Sequence, residues 1–218
     1  AEREQRTLAE ALRDTAAVVN STLNFDDVLD HILDHVSRVA PHDVADIRLI
    51  DDGIVRVVRS HPTSAESKEM AWIDNLQFDL EQTANLRYMF ESQQPLAIPD
   101  TTEYPGWLQP EGSEWIRSHA GAPILQDGQV IGFIAIHSHQ PRFFSDRHAR
   151  RLQAFADQVA VAIRNARLYD DLQRRAAELE ALRQITLAIT SQLDLDALLR
   201  SLVEQTVDLM QGSICGIY

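Results

Sequence analysis

An internal repeat constrains the fold of this chain more than any other feature of its sequence. Glu10-Ala11-Leu12-Arg13 recurs as Glu180-Ala181-Leu182-Arg183, an offset of 170 residues, and further matches follow at the same offset without a gap. The identical pairs that follow are Ser21 and Ser191, Leu23 and Leu193, Asp26 and Asp196, Leu29 and Leu199, and Ile47 and Ile217. Self-similarity at a fixed offset indicates a repeated structural unit. We therefore expect one complete module followed by the opening of a second copy.

Glycine and proline are concentrated in the middle of the chain. All eight Pro and six of the eight Gly lie between Pro41 and Pro141, and neither residue occurs between Asp146 and Gln211. Because these residues interrupt regular structure, the middle is predicted to hold strands and turns, and the flanks to be helical.

Hydrophobic periodicity divides the module into elements. Apolar residues at helical spacing predict a helix over 26–40, and Asp51-Asp52-Gly53 and Asp127-Gly128 predict two hairpin turns. The predicted strands are 44–50, 54–58, 76–80, 96–98, 119–125 and 130–137, with short helices at 84–92 and 113–117.

The last predicted helix, from Asp146 to about residue 190, carries an apolar seam. The seam residues alternate at spacings of four and three, with Arg175 and Thr186 at the remaining positions: Leu168, Leu172, Leu179, Leu182 and Ile189. Such a seam favours a parallel coiled coil and hence a homodimer. The alternative is that the helix breaks near Tyr169 and the seam packs on its own domain.

Composition excludes several classes of protein. A net charge of −13 argues against a nucleic-acid surface, and no apolar run is long enough to span a bilayer. With a single Cys, Cys215, no internal disulfide can form, so we expect a cytoplasmic protein. The chain starts without Met and ends in an apparent strand, so we expect it to be part of a longer protein.

Two stretches carry a family resemblance. The first is Ser118-His119-Ala120-Gly121-Ala122-Pro123-Ile124 with Gly128-Gln129-Val130-Ile131-Gly132-Phe133-Ile134 after it. The second runs from Phe144-Ser145-Asp146 to Asn165-Ala166-Arg167-Leu168-Tyr169. Together they resemble the GAF domain pattern of a strand, a glycine-containing hairpin, a helix cap and a helix with an Ala-Ile-x-Asn-Ala-x-Leu-Tyr end. The resemblance covers about residues 12–169.

The resemblance implies an α/β (α+β) fold, with a central antiparallel sheet of about five or six strands, helices on both faces and long terminal helices. It implies a linker helix at 1–20, a GAF domain at 21–169, a connecting coiled-coil helix at 170–190 and a truncated second GAF domain at 191–218. The implied function is a non-catalytic sensor in a bacterial signal-transduction protein, such as a histidine kinase. A self-filled dimerisation spacer and the input domain of a cyclase or diguanylate cyclase are the alternatives.

This sequence lacks the residues that some known GAF domains use to bind ligands or to catalyse reactions. The cyclic-nucleotide motif is absent, and residues 1–214 contain no Cys for bilin attachment or for methionine sulfoxide reductase chemistry. We therefore predict no cofactor, no metal and no catalytic residues.

Aromatic and apolar residues of the predicted lid are candidates for a ligand pocket: Trp72, Met89, Phe90, Trp107 and Trp115. They either line a pocket or fill it themselves. His119 is a further candidate, either as a haem ligand, as in some relatives, or as a hydrogen-bonded histidine at a strand end, the interpretation we favour.

Other histidines suggest metal sites by spacing alone. His137 and His139 would share one face of a strand, and His31 and His35 one face of a helix. We predict instead that both pairs face solvent, the first at a strand end and the second opposite the apolar stripe of its helix.

Overall fold

The computed structural model describes residues 6, 9–15, 25–63, 76–191 and 195–210. The chain divides into two compact units, Ala1–Arg167 and Leu168–Tyr218.

The first unit is built on a six-stranded antiparallel sheet with the strand order β3-β2-β1-β6-β5-β4. Its elements are α1 (Phe25–Val39), β1 (Val44–Asp51), β2 (Ile54–Pro62), β3 (Gln77–Asp79), α2 (Ala84–Ser92), β4 (Leu96–Ile98), a 3-10 turn (Thr101–Glu103), β5 (Ser118–Gln126) and β6 (Gln129–Ser138). The predicted α/β fold with a sheet of five or six antiparallel strands is confirmed.

Two tight hairpins connect the central strands. Asp52 and Gly53 join β1 to β2, and Asp127 and Gly128 join β5 to β6. All four have positive φ, between 47° and 79°, which is the conformation of a type I′ turn. The Asp-Gly pairs therefore set the register of both hairpins, as predicted.

The sheet is covered on both faces, and strand alternation decides which side chain enters which layer. In β6, Ile134 and Ile136 pack in a core with α1 and with α3 (Asp146–Ser191). Phe133 points the other way, into a second core with Met89 of α2. The central strands are therefore mostly apolar on both faces, because both faces are buried.

The prediction of a solvated His35 is wrong. His31 is exposed, but His35 is 6% exposed and its Nδ1 lies 2.5 Å from Thr15 Oγ1. Thr15 Oγ1 donates to the carbonyl of Ala11, so the imidazole Nδ1–H is the donor to Thr15. Helical residues 9–15 cover this face of α1, which the periodicity of α1 alone could not reveal.

The predicted short helix at 113–117 is also wrong. Ser113 N donates to the Pro110 carbonyl and Ile116 N to the Ser113 carbonyl, giving two successive turns. A segment this short cannot offset the cost of helix nucleation, and burial of Ile116 fixes the chain instead.

Helix α3 continues through Tyr169, so the alternative of a break there is contradicted. In the second unit, the seam residues with described side chains are more than half exposed: Leu168, Leu172, Leu179 and Leu182. The side chain of Ile189 lies outside the described residues. Helix α4 (Leu195–Met210) begins 170 residues after α1, which is the offset of the sequence repeat. Among the described residues, no helix combines the length and the apolar character that crossing a bilayer requires.

Candidate functional site

A cavity lies on the α2 face of the sheet, with about 490 Å³ of unfilled space that includes open solvent. Its floor is polar and contains Asp46, Arg48 and His137. Its wall is mostly apolar and aromatic: Phe78, Trp107, Leu108, Pro110, Trp115 and Ile116. An apolar cleft with a few convergent polar groups is the usual composition of a small-molecule site.

The polar floor follows from the period of two along the strands. Asp46 and Arg48 are two residues apart in β1 and therefore share a face. On the neighbouring strand β6, His137 pairs with Val44, and it also pairs with His119 of β5. The sheet thus places four polar side chains from three strands on its α2 face.

Asp46 and Arg48 form a buried, bidentate ion pair. Arg48 Nε donates to Asp46 Oδ1 over 2.6 Å, and Nη2 donates to Oδ2 over 2.8 Å. The side chain of Arg48 is 7% exposed and that of Asp46 is 1% exposed. The Arg48 guanidinium lies 4.9 Å from the ring centre of Phe78. Fork geometry of this kind gives strong, directional hydrogen bonds.

Two histidines extend the ion pair through the sheet. His137 Nε2 lies 2.8 Å from Asp46 Oδ2 and 3.1 Å from Arg48 Nη2. The charged carboxylate is the stronger acceptor, so we assign a proton to Nε2 that is donated to Asp46. His137 Nδ1 then accepts from His119 Nδ1–H at 3.4 Å, and His119 Nε2 has no hydrogen-bond partner among the described residues.

The network holds its charged groups in fixed protonation states. Burial works to raise the pKa of Asp46, but the Arg48 charge and the His137 hydrogen bond outweigh it and lower that pKa below its usual range. Burial lowers the pKa of His119 well below its ordinary value, and the nearby His137 and Arg48 act in the same direction. At neutral pH the site therefore contains one carboxylate, one guanidinium and a neutral His119.

Buried neutral histidines predict loss of stability in mild acid. Burial lowers the pKa of His42 from 6.5 to about 4, and burial also lowers that of His35. Between pH 6.5 and about pH 4, the unfolded chain binds a proton at His42 that the folded chain does not. The free energy of unfolding therefore falls as pH falls through this window. His42 alone accounts for about 3 kcal/mol across this window.

Urea unfolding at several pH values measures this effect, with His42→Gln as the comparison. We expect a shallower pH dependence of the unfolding free energy in the variant than in the native chain. Equal slopes would contradict the assignment.

Only some of the predicted pocket residues line the cavity. Trp107 and Trp115 line the cavity, and the His119 ring lies behind it, 5.3 Å from the Trp107 ring. Met89 and Phe90 do not line it, because α2 turns Met89 into the sheet core and leaves Phe90 41% exposed. Trp72 lies outside the described residues.

The favoured interpretation of His119, a hydrogen-bonded histidine at a strand end, agrees with the structure, whereas the prediction of a solvated His137 is wrong. His119 is fully buried, and a Cβ on Gly121 would lie 3.1 Å from its Nε2, so this nitrogen faces packed core and not the cavity. His137 is 3% exposed and not solvated, because β6 is central and the side chains of Asp46, Arg48 and His119 contact its ring. His139 is exposed and binds Asp43 Oδ2 through Nδ1 at 2.7 Å. The described residues hold no group of three or more ligands arranged for a metal ion.

Sequence reasoning missed Asp46 and Arg48. Both sit in a strand whose remaining residues are mostly apolar, and acidic and basic residues two positions apart in such a strand are a usable signal. A buried strand tolerates them when they neutralise each other on the same face.

Comparison with known proteins identifies the family of this fold. The GAF domain family matches residues 22–164 of the chain. The chain therefore belongs to the GAF domain family, a family of regulatory and sensory domains.

Solved structures agree on the fold. The GAF domain of a phosphoenolpyruvate-protein phosphotransferase from Coxiella burnetii has a TM-score of 0.63 at 19% identity, with 76% of this chain and 98% of that chain covered. The chromophore-binding domain of a bacteriophytochrome from R. palustris has a TM-score of 0.61 at 14% identity, covering 77% and 64%. A free methionine-R-sulfoxide reductase from Neisseria meningitidis has a TM-score of 0.62 at 15% identity, covering 74% and 91%. The fold thus serves an enzyme as well as regulatory domains.

Proposed function

We propose that this chain is a non-catalytic sensory module that binds a small molecule in the cavity over Asp46 and Arg48. Occupancy of the cavity shifts the sheet, and α3 carries the change toward an output domain. Such relay requires that the ligand bind two states of the domain with different affinity.

One observation carries the proposal: the cavity exposes an organised polar floor beneath an aromatic wall. Trp107 and Trp115 form part of this wall, beside the buried ion pair of the floor. Their indole Nε1 atoms are buried and lack hydrogen-bond partners among the described residues. Unpaired buried donors are costly, and because protein encloses both atoms, a ligand acceptor reaches them only if neighbouring side chains move.

A thermal-shift screen of metabolites against the native chain and one blocked variant tests the proposal. Leu108 lines the cavity and is 49% exposed, so Leu108→Trp adds bulk at the mouth with little effect on folding. Tyr88→Trp is the matched control, since Tyr88 is 46% exposed on α2 and does not line the cavity. Ligands that bind the folded state raise its melting temperature.

We expect at least one stabiliser of the native chain and of Tyr88→Trp that fails to stabilise Leu108→Trp. A screen without a stabiliser would favour the dimerisation spacer, and equal stabilisation of all three proteins would place the ligand elsewhere.

We further propose that the module is a homodimer joined along α3. Four seam leucines are more than half exposed in the single chain, and burying them against a second copy removes apolar surface from water. Their spacing suits a parallel coiled coil, the arrangement in which two identical helices meet in register.

Leu179→Glu is expected to weaken the dimer at least about tenfold, because it places a charge in the seam. Ala177→Glu is the matched control, since Ala177 lies on the opposite side of α3 from the seam. Sedimentation velocity over a concentration series measures the difference. A monomeric native chain at high concentration would rule out the dimer.

The surrounding protein is proposed from the repeat and from the family. Helix α4 matches α1 at the 170-residue offset, which supports a second GAF domain from residue 191 onward, preceded by a linker helix at 1–20 and a connecting helix at 170–190. We propose a cytoplasmic tandem-GAF region of a bacterial sensor histidine kinase, with a cyclase or diguanylate cyclase as the alternative output. Sequencing the gene beyond Tyr218 distinguishes these outputs.

A further inference from the structure

We propose that the cavity takes a neutral, largely aromatic molecule whose polar end is a carbonyl-type hydrogen-bond acceptor. The inference rests on the proposed function, because it names the class of ligand for the same cavity. It follows from the charge balance of the floor and from the donors that the structure leaves unused.

The charge balance excludes an anion as the best ligand. A guanidinium binds a carboxylate most strongly through the fork of Nε and one Nη nitrogen. In this site the fork of Arg48 is taken by Asp46, at 2.6 and 2.8 Å. The charge of Arg48 is already neutralised by Asp46, so a ligand carboxylate would gain little attraction from Arg48 and would be repelled by Asp46. Burying such an unmatched charge is strongly unfavourable.

The charge balance also disfavours a cation. Both oxygens of Asp46 already accept hydrogen bonds, Oδ1 from Arg48 and Oδ2 from both Arg48 and His137. A positively charged group would therefore compete with Arg48 for the same carboxylate. A neutral molecule leaves the pair undisturbed.

Three polar groups at the cavity are donors without a partner in the described part of the chain, whereas the amide of Asn85, which also lines the cavity, is both a donor and an acceptor. Trp107 Nε1 and Trp115 Nε1 are buried without partners, and Arg48 Nη1 makes no hydrogen bond to another described residue. Each can donate and none can accept. An acceptor on the ligand that reaches one of these groups satisfies it, and the ring system of the ligand packs on Phe78 and the two indoles.

Three probes with one ring system separate these requirements: 2-acetonaphthone carries a neutral carbonyl, 2-naphthoate an anionic carboxylate, and naphthalene no polar group. Isothermal titration calorimetry of the full chain near neutral pH gives their affinities. We expect 2-acetonaphthone to bind about fivefold tighter than naphthalene, the effect of one hydrogen bond, and at least about tenfold tighter than 2-naphthoate.

A variant tests whether the indole donor is responsible. Trp115→Phe keeps an aromatic ring and removes the N–H, so it should reduce the advantage of 2-acetonaphthone over naphthalene. Circular dichroism of the variant confirms that it is folded, and Trp107→Phe provides a second version of the same test.

The outcomes distinguish this inference from the proposed function. Tightest binding of 2-naphthoate, or equal binding of naphthalene and 2-acetonaphthone, would overturn the ligand class and leave the cavity a binding site. Failure of all three probes to bind would overturn the ligand class, whereas the metabolite screen decides the proposed function. An unchanged preference in both Trp→Phe variants would overturn the role of the indole donors.

Discussion

Asp46→Ala is expected to lower the free energy of unfolding by about 3–5 kcal/mol, the usual cost of removing one partner of a buried ion pair. The variant leaves the Arg48 guanidinium buried without its counter-charge and removes the acceptor of His137 Nε2. Urea unfolding followed by circular dichroism measures the loss near neutral pH.

Two controls isolate the cause. Asp51→Ala removes a carboxylate from the same strand, but its contact with Arg56 is 4.0 Å long and the side chains are 79% and 45% exposed. A loss below about 1 kcal/mol is expected there. The double variant Asp46→Ala with Arg48→Met should recover much of the stability, because no uncompensated charge remains. A loss for Asp46→Ala no larger than that for Asp51→Ala would show that the pair is not buried as described.

Gly132→Ala is expected to cost about 3 kcal/mol for a different reason. A Cβ at this position of β6 would lie 2.2 Å from the Arg48 carbonyl oxygen and 2.9 Å from Leu49 Cδ2. Because the first of these is backbone, β1 and β6 must separate at the centre of the sheet to admit the methyl group. The displacement would begin at Arg48 itself and so disturb the cavity floor.

Gly128→Ala is the matched control for this prediction. Gly128 has a φ of 79° and no atom within 4 Å of the Cβ position, so its replacement costs backbone strain of about 1–2 kcal/mol without a clash. Chemical denaturation of both variants compares the two costs. If Gly132→Ala were the milder change, the close approach of β1 and β6 would be contradicted.

The parts of the fold that could be predicted depend on local sequence. Asp-Gly pairs specify hairpin turns directly, and the apolar stripe of α1 reveals its buried face without knowledge of its partner. The absence of Gly and Pro after Asp146 likewise permits the long α3. The predicted bounds of these elements lie close to the observed ones.

The site could not be predicted because it depends on which strands become neighbours. The spacing of Asp46 and Arg48 indicates a pair on one face of β1, but the residues around that pair are fixed only when β1 lies between β2 and β6. The hairpin at Asp127-Gly128 makes β5 and β6 neighbours, but the register shift between Ile124 and Leu125 decides that His119 pairs with His137. A strand apolar on both faces gives no alternation from which to tell the cavity face from the helix face.

The aromatic candidates show the same limit. Trp107 and Trp115 reach the cavity through irregular segments whose path follows from turns at Pro110 and Ser113. Phe90 is also an aromatic residue of the predicted lid, but helix geometry places it on the exposed side of α2. Residue type therefore identifies candidate pocket residues, and the path of the backbone determines which of them line the pocket.

Nuclear magnetic resonance of the tryptophan indole groups tests the central claim most directly. In a ¹⁵N-labelled chain, each indole N–H gives a separate signal, and Trp107→Phe and Trp115→Phe assign the two of interest. If the cavity over Asp46 and Arg48 is the ligand site, saturating 2-acetonaphthone will shift one or both of these signals, and Leu108→Trp will prevent the shift. Binding of the probe by calorimetry with both signals unmoved would contradict the account.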